Sequence, residues 1–481
     1  MNIKYDYIVI GAGAAGLSFS ALMEKKGFNV ALLEAHSLPG GCSSYFEREG
    51  FIFDAGATTL SGFKKGRPLE ELLKDLDLDL EIVEIDPGII SVIDDKKIRR
   101  FRNLDKWIAE LSLHFPNIAH EKLWKKLKKI EIRGWDLSIS FKNIPIRNIR
   151  SLSSFFSLKV PGAFACLPCL FKSVDSLIKK LNITDSNYLK MIDELLFITA
   201  QNTRFDTPLL MGAIGLCYPD DTAYAMGGMK AFSKALASKC SNVFYKNRVE
   251  KIIARDDYFE VQTSQAIFFG TTIISTLPIW NHASLFDDRK AKAFFSEEKI
   301  PDPKNCWSAF MIYLTIPLDE KREGIYYQIH CDKIPNCSTS SFFVSLSHPK
   351  DKTRSINGRQ VVTISTHTKY QEWTELDKEE YKNKKKETES YILDLLKIKF
   401  DLLDTDLQNI MTGSPKTFIK YTRRFSGLVG GIPHSLKRNP LNYMFAKSPY
   451  RNFYMIGDTQ FPGQGIAAVV MSSMNLVDHL K

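Results

Sequence analysis

The first 34 residues constrain the fold most, because they hold the parts of a dinucleotide-binding βαβ unit in the right order. An apolar run at residues 8–10 predicts a short parallel strand, and residues 14–26 carry apolar residues at helical spacing. Between them lie Gly11, Gly13 and Gly16. In such units the first glycine allows a tight turn, the second lets backbone N–H groups approach a pyrophosphate, and the third lets the helix pack against the strand. The unit therefore predicts a phosphate-binding helix N-terminus.

Glu34 follows the second apolar run, residues 30–33, and stands where such units place an acid. A carboxylate there accepts a hydrogen bond from a ribose 2′-hydroxyl and repels a 2′-phosphate. The order of strand, glycines, helix, strand and acid favours a nucleotide site over an ordinary glycine turn. The unit alone does not distinguish NAD from FAD.

The composition is typical of a globular protein without a membrane span. Of its 481 residues, 44% are hydrophobic and 25% are charged. No stretch reaches the roughly 18 apolar residues that a spanning helix needs. The first residues lack an apolar signal region and run directly into the first strand. We therefore expect a cytoplasmic protein, with peripheral attachment to a membrane as an open alternative.

Basic residues are concentrated in one region. The net charge is +10, and residues 122–159 contain ten Lys or Arg against two acids. Residues 151–181 interleave aromatic and aliphatic side chains with lysines, a pattern that suits a segment on an anionic lipid surface. A solvated helical face beside a normal core is the alternative. No recognition motif accompanies the bases, so we expect no nucleic acid partner.

The rest of the chain divides by pattern into regions. Residues 64–215 are mainly helical, strands rich in β-branched and aromatic residues occupy much of 308–366, and a strand, glycine-rich turn and helix return at 452–471. We predict an α/β protein in which a Rossmann-type domain is interleaved with a mixed-sheet substrate domain and a helical lid that includes the possible membrane-contact region. The predicted boundaries are 1–63, 219–290 and 440–481 for the Rossmann-type domain, 64–218 for the lid and 291–439 for the substrate domain.

Several glycine motifs occur together with the N-terminal unit. They are Gly40-Gly-Cys-Ser-Ser44, Gly227-Gly228, Gly413-Ser-Pro-Lys-Thr417 and Gly457-Asp-Thr-Gln-Phe-Pro-Gly-Gln-Gly465. Together they resemble the FAD-dependent family that holds phytoene desaturases, carotenoid isomerases of the prolycopene isomerase type and retinol saturases. The last two motifs are similar to those of the isomerase branch. The first departs from the Gly-Gly-Arg of desaturases and amine oxidases, and so lacks one arginine as a pyrophosphate partner.

The resemblance implies that FAD lies extended along the Rossmann-type domain, whose fold is like that of glutathione reductase. It also implies that Val249 holds the adenine edge through its backbone and that Asp458 binds the ribityl or pyrophosphate region. A helix N-cap is the alternative for Asp458. The predicted cofactor-binding residues are Gly11, Gly13, Ala14, Ala15, Gly16, Glu34, Ala35, Gly40, Gly41, Cys42, Val249, Gly457, Asp458, Gly465 and Ile466.

A flavin carries electrons itself, so the protein needs to supply only orientation, dryness and electrostatics. We expect no metal site, because the nine histidines show no helical His-x-x-x-His pairing. His434, Arg204 and Asp206 are the candidates for an assisting acid or base, and each has a surface or structural role as its alternative.

The resemblance implies an FAD-dependent oxidoreductase that acts on a lipophilic polyene or isoprenoid lipid, by desaturation, cis–trans isomerisation or saturation. A flavin amine oxidase shares the early motifs but needs an aromatic cage and usually a lysine near the flavin. A non-catalytic prenyl-lipid escort on the same fold would have no use for the glycine unit, Glu34 and Asp458. The substrate, the electron acceptor and the oligomeric state stay open.

Overall fold

The computed structural model describes residues 4–140, 161–438 and 448–480. Residues 151–160 of the predicted membrane segment and the predicted boundary at residue 440 lie outside the described residues. Within the described ranges the chain forms two large sheets, two small two-stranded sheets and the helices that cover them.

Runs of strands and runs of helices follow one another along the described chain. The strands are β1 Lys4–Ile10, β2 Val30–Leu33, β3 Tyr45–Arg48, β4 Phe51–Asp54, β5 Ile82–Glu84, β6 Ile89–Ile93, β7 Lys96–Arg100, β8 Ala223–Ala225, β9 Val243–Phe244, β10 Val249–Ala254, β11 Phe259–Thr263, β12 Ile267–Ser275, β13 Ser308–Pro317, β14 Tyr326–His330, β15 Ser341–Leu346, β16 Ser355–Ile356, β17 Arg359–Thr368, β18 Gln408–Gly413 and β19 Phe453–Met455. The helices are α1 Ala14–Lys25, α2 Pro68–Leu76, α3 Leu104–His114, α4 His120–Ser140, α5 Val174–Lys180, α6 Ser186–Ala200, α7 Leu209–Cys217, α8 Gly228–Ala237, α9 Arg289–Phe294, α10 Gln371–Thr374, α11 Lys378–Phe400, α12 Pro415–Thr422 and α13 Ile466–His479.

The first sheet confirms the dinucleotide-binding unit. Its strand order is β10–β11–β12–β1–β2–β9, and β19 pairs in parallel with the end of β12. Strand β1 is parallel to both neighbours, with Ile8 opposite Ala31 on β2 and Ile273 on β12. All three residues are fully buried. Strands of a parallel sheet that are covered on both faces carry continuous apolar runs, which is why these strands could be predicted.

The C-terminal segment returns to the first sheet. Strand β19 extends the sheet, and helix α13 packs against α1. In that contact the Ser473 hydroxyl donates to the Ala15 carbonyl at 2.8 Å. The two ends of the described chain therefore share one sheet and its covering helices.

The second sheet is mixed, with the strand order β18–β13–β17–β15–β14–β6–β7 and a parallel pair between β14 and β6. Strands β6 and β7 lie within the region that we expected to be mainly helical. The apolar run Ile89–Ile93 is five residues long, and so short a run does not distinguish a buried strand from a buried helix. The contact with β14, more than two hundred positions away in the sequence, makes it a strand.

Helices α3 to α7 cover the second sheet and share its core. Trp124 and Tyr188 are fully buried there, and Trp124 Nε1 donates to the Tyr188 hydroxyl at 2.9 Å. Among the described residues, no helix combines the length and the apolar character that crossing a bilayer requires.

A buried ion pair joins β4, α8 and the second sheet. Arg354, just before β16, pairs with Asp54 at the end of β4 at 2.9 Å, and each side chain is 3% exposed. Arg354 also donates to the Ile52 carbonyl and to the Tyr224 hydroxyl, each at 3.1 Å. Asp54 accepts the N–H of Met229, in the first turn of α8, at 2.9 Å. Since α8 packs in the core beneath the first sheet, this junction connects the two sheets.

We predict that Arg354→Met lowers the free energy of unfolding by about 3–5 kcal/mol, because it leaves the buried Asp54 carboxylate without its positively charged partner. Lys234→Met removes an exposed charge from the same helix α8 and should change that free energy by less than about 0.5 kcal/mol. Urea unfolding followed by far-ultraviolet circular dichroism measures both. Equal unfolding curves for the two variants would contradict the importance of the junction.

Candidate functional site

A cavity of about 1080 Å³ lies between the two sheets. Ile10 and Leu33, the last residues of β1 and β2, line one end, and Met311 and Phe343 of the second sheet line the other. Open α/β sheets bind ligands beyond the carboxyl ends of their parallel strands. The cavity therefore joins a nucleotide-type end to a second compartment.

The glycine turn after β1 shapes the nucleotide-type end. Gly11 has a φ of +98°, and a Cβ on it would come within 2.5 Å of Thr276 Oγ1. A Cβ on Gly16 would come within 2.0 Å of the Gly11 carbonyl oxygen, so α1 packs directly against the turn. Gly13 instead lines the cavity, and a Cβ there would meet the Gly40 carbonyl oxygen at 4.0 Å and nothing nearer. The missing side chain of Gly13 therefore leaves room for ligand atoms.

Helix α1 opens into the same space. Its N-cap, Gly13, makes no side-chain hydrogen bond to the first turn, and Ala14 and Ala15 line the cavity. The first N–H groups of a helix have no acceptor within the helix and carry a partial positive charge. This end of the cavity therefore fits an anionic group.

Glu34 lines the cavity next to Ala35. Its Oε2 accepts the Ala12 N–H and its Oε1 accepts the His36 N–H, each at 2.7 Å. Burial raises the pKa of Glu34, and the two backbone N–H groups act against that rise. A carboxylate can accept about four hydrogen bonds, so the fixed Glu34 side chain can still accept a hydroxyl from a ligand.

Two later segments complete the nucleotide-type end. The Gly40 N–H donates to the Ala12 carbonyl at 2.8 Å, and a Cβ on Gly41 would come within 3.3 Å of Gly13, so this segment lies against the glycine turn. Helix α13 has Gly465 as an N-cap without a side-chain hydrogen bond, and Ile466 lines the cavity. A second uncapped helix N-terminus therefore opens into the same cavity.

Asp458 lines the cavity and forms an ion pair with Arg424, whose Nη2 donates to Asp458 Oδ2 at 2.7 Å. Arg424 also lines the cavity, and its Nε donates to the Leu428 carbonyl at 2.5 Å. Burial acts to lower the pKa of Arg424, but Asp458 and Cys42 outweigh it, so the pKa is raised. We did not predict Arg424, because no motif marks it and only the folded chain brings it to Asp458.

Most of the predicted cofactor residues meet in this cavity. Those that line it are Gly11, Gly13, Ala14, Ala15, Glu34, Ala35, Gly40, Gly41, Cys42, Val249, Gly457, Asp458, Gly465 and Ile466. Gly16 does not line it. Its contact with the Gly11 carbonyl shows that Gly16 serves the packing of α1 on the turn.

His434, one of the three acid–base candidates, lines the cavity. Burial, together with the nearby charge of Arg438, lowers the pKa of His434 to about 4. The imidazole is therefore neutral at neutral pH, and it can accept or donate one hydrogen bond without carrying charge.

The other two acid–base candidates are not among the residues that line the cavity. Arg204 forms ion pairs with Asp175 and Asp193. Asp206 accepts the Ser435 hydroxyl at 2.6 Å. Arg204 and Asp206 therefore lie outside the cavity lining, and Asp206 reaches it only through Ser435, which lines the cavity.

The second compartment is walled mainly by apolar side chains. The sheet contributes Ala309, Met311, Tyr313 and Phe343, and helices α6 and α7 contribute Leu195, Phe197, Ile198, Leu210, Met211 and Ile214. In the sheet, Phe343 and Met311 flank Ser365 in one row across three strands. A compartment of this kind buries an apolar ligand.

Glu194 and His367 also line the second compartment, and we predicted neither. The Ser341 hydroxyl donates to Glu194 Oε2 at 2.6 Å, and the Ser340 N–H donates to Oε1 at 3.0 Å. Burial raises the pKa of Glu194 and lowers the pKa of His367 to about 4. The compartment therefore disfavours charge on both side chains, which keeps it compatible with an apolar ligand.

The nucleotide-type end fits a dinucleotide in its chemistry. The N–H groups of α1 suit a pyrophosphate, the Glu34 carboxylate suits a ribose hydroxyl, and the N-terminus of α13 presents N–H groups to an electron-rich ring edge. The space beside Gly13 leaves room for backbone-to-phosphate contact.

Comparison with known proteins agrees with this site. Residues 9–76 match the family described as an NAD(P)-binding Rossmann-like domain. Prolycopene isomerase 2, chloroplastic, of an Oncidium hybrid cultivar is 28% identical over 98% of this chain and 83% of that protein. All-trans-retinol 13,14-reductase of Rattus norvegicus is 22% identical over 95% of this chain and 83% of that protein. Phytoene desaturase of Fusarium fujikuroi is 42% identical over 12% of this chain and 10% of that protein.

Solved structures share the fold over nearly the whole chain. An oxidoreductase from Methanosarcina mazei has a TM-score of 0.63 at 16% identity, covering 98% of this chain and 99% of that one. Cyclohexylamine oxidase from Brevibacterium oxydans has a TM-score of 0.62 at 13% identity, covering 99% of this chain and 100% of that one. At these identities the likeness establishes the fold alone. Over nearly its whole length the chain is similar in sequence to prolycopene isomerases and to an all-trans-retinol 13,14-reductase, and over a short segment it is similar to a phytoene desaturase.

Proposed function

We propose that the protein is an FAD-dependent enzyme that isomerises double bonds of an apolar polyene. The observation that carries the proposal is a single cavity in which an anion-binding end continues into an apolar compartment. Relatives that match 98% of the chain are named prolycopene isomerases, whereas the match to a phytoene desaturase covers 12% of the chain. This difference favours isomerisation over desaturation. Saturation is the second candidate, because the rat retinol reductase matches 95% of the chain.

In the proposed complex, the N–H groups at the start of α1 bind the pyrophosphate of FAD and Glu34 binds the adenosine ribose. Gly465 and Ile466 present N–H groups of α13 to the flavin ring. Reduced FAD, once bound, would supply the electron density that weakens a double bond. The protein's own task is then to hold the substrate and to keep water out.

The apolar compartment performs this second task. Phe197 and Met211 from the helices and Phe343 and Met311 from the sheet all line the cavity, so apolar side chains from both elements can hold a polyene. Burial disfavours the charged forms of Glu194 and His367. This effect favours an apolar ligand beside them.

The two alternatives account less well for the cavity. An amine oxidase would need a lysine near the flavin, and none of the described residues that line the cavity is a lysine. A lipid escort without cofactor would have no use for two uncapped helix N-termini in one cavity, because their N–H groups need acceptors.

The first prediction from this proposal concerns cofactor retention. Purified protein should show the absorption bands of oxidised flavin, and heating should release FAD and not FMN. Glu34→Gln should weaken FAD binding roughly 10-fold or more, because a charge-assisted hydrogen bond to the ribose is lost. Equilibrium dialysis of protein stripped of flavin measures the affinity.

Glu49→Gln is the matched control, since it removes an exposed carboxylate outside the cavity. A colourless wild-type protein that does not take up FAD would contradict the proposed function. Equal FAD affinity of the Glu34→Gln and Glu49→Gln variants would contradict only the ribose assignment.

The second prediction concerns the product. With a poly-cis carotenoid and flavin reduced under nitrogen, the enzyme should form geometric isomers of unchanged mass, because isomerisation transfers no net electrons. Chromatography with mass detection separates the outcomes. Products that have lost a pair of hydrogens would identify a desaturase instead, and products that have gained a pair would identify a saturase.

We also propose that the substrate enters from an anionic membrane surface. Lys122, Lys126 and Lys129 are exposed on α4. Burial raises the pKa of the Cys169 thiol, in the 3-10 helix Pro161–Leu170, and the nearby charge of Lys126 lowers it, so Lys126 lies close to that helix. Leu167 and Leu170 of the 3-10 helix line the cavity, and the adjacent Phe171 is 69% exposed. A basic and apolar surface beside the apolar end of the cavity suits a lipid interface.

The third prediction tests this entry. Changing Lys122, Lys126 and Lys129 to Gln should weaken binding to vesicles of phosphatidylcholine and phosphatidylserine by about 3 kcal/mol, since each lysine near an anionic surface contributes about 1 kcal/mol. Changing Lys378, Lys382 and Lys386, which are exposed on α11, is the control for net charge. Sedimentation measures binding, and an equal loss in both triple variants would contradict a specific surface.

A further inference from the structure

Arg424 lines the nucleotide-type end of the cavity and carries a positive charge. The proposed function gives it no role. Its side chain is 11% exposed and that of Asp458 is 15% exposed. Nη2 donates to Asp458 and Nε donates to the Leu428 carbonyl. The guanidinium also lies close enough to Cys42 for the two groups to affect each other's pKa. A guanidinium has five N–H donors, so donors remain for a ligand in the cavity that Arg424 lines.

Arg424 lies next to the glycine turn through a short series of contacts. It lies near Cys42, two residues after Gly40, and the backbone of Gly40 forms a parallel bridge with Gly13, the N-cap of α1. Cys42, Gly13 and Arg424 all line the same cavity. The guanidinium and the uncapped N–H groups of α1 therefore converge on one region.

Position 42 follows two glycines and carries a thiol. Burial raises the pKa of this thiol, and the charge of Arg424 acts against that rise, so the thiol is uncharged at neutral pH. The region beside the α1 N-terminus therefore receives no cation from position 42. Arg424 reaches that region from the turn after α12, in the other half of the chain.

We propose that Arg424 binds the pyrophosphate of the cofactor and takes the place of a cation that position 42 does not provide. Asp458, in this arrangement, orients the guanidinium. The planar fork of an arginine suits two oxygens of a phosphate group. The inference rests on the proposed use of FAD and names one further residue that binds it.

The test measures FAD affinity and the phosphorus environment together. Arg424→Met should weaken FAD binding roughly 10–100-fold, because charge-assisted hydrogen bonds to phosphate are lost. Lys420→Met removes an exposed charge from the neighbouring helix α12 and should leave FAD affinity unchanged. Arg424→Lys keeps the charge but not the fork, so the phosphorus-31 resonances of its bound FAD should shift from those of the wild type. Equilibrium dialysis and phosphorus-31 NMR are the measurements.

Two double variants separate binding from folding. Arg424→Gln with Asp458→Asn removes both charges, and its FAD affinity should stay weak. Recovery to the wild-type affinity would mean that an unpaired Asp458 caused the loss, and would overturn the proposal. Arg424→Ala with Cys42→Arg moves the guanidinium from position 424 to the neighbouring position 42. This double variant should regain most of the FAD affinity that Arg424→Met loses.

The result also separates this inference from the proposed function. If wild-type protein binds no FAD, the proposed function fails. If wild-type protein binds FAD and Arg424→Met binds it equally well, or the phosphorus resonances do not move in Arg424→Lys, only the role of Arg424 fails.

Discussion

The buried pair of Asp54 and Arg354 is the interaction on which the cavity depends. The two sheets have separate hydrophobic cores, and a cavity between them keeps its shape only if they are held in a fixed relation. A charge taken out of water is tolerated only when it is paired and hydrogen-bonded. Asp54 therefore fixes Arg354, and the N–H of Met229 brings the start of α8 to the same point.

The cavity that results has two chemically different ends. At one end, helix N-termini, the Glu34 carboxylate and the pair of Arg424 and Asp458 provide donors and charge. At the other end, side chains of two helices and a sheet face provide a mainly apolar surface. The end with donors and charge suits the phosphates and riboses of a dinucleotide. The apolar end suits the proposed polyene, which has few polar groups.

Much of the nucleotide-type end could be predicted because its signals are local. Gly11, Gly13 and Glu34 lie within one βαβ unit, and a strand, turn and helix impose a fixed spacing on them. Gly457 and Gly465 belong to a second local motif of the same kind. By contrast, β6 was missed because its short apolar run acquires its strand identity from a distant partner, β14. The domain boundaries stay predictions.

The sequence by itself determined the βαβ unit of the first sheet, the glycine turn and the motifs that accompany it, since backbone geometry near a glycine or at the end of a strand is set by neighbours in the chain. The tertiary structure decided which ionisable groups reach the cavity. It brought in Arg424, Glu194 and His367, and it left Arg204 and Asp206 outside the cavity lining, in ion pairs or hydrogen bonds with neighbouring side chains. Side-chain partners are chosen by packing between elements far apart in sequence, and local pattern carries no information about that choice.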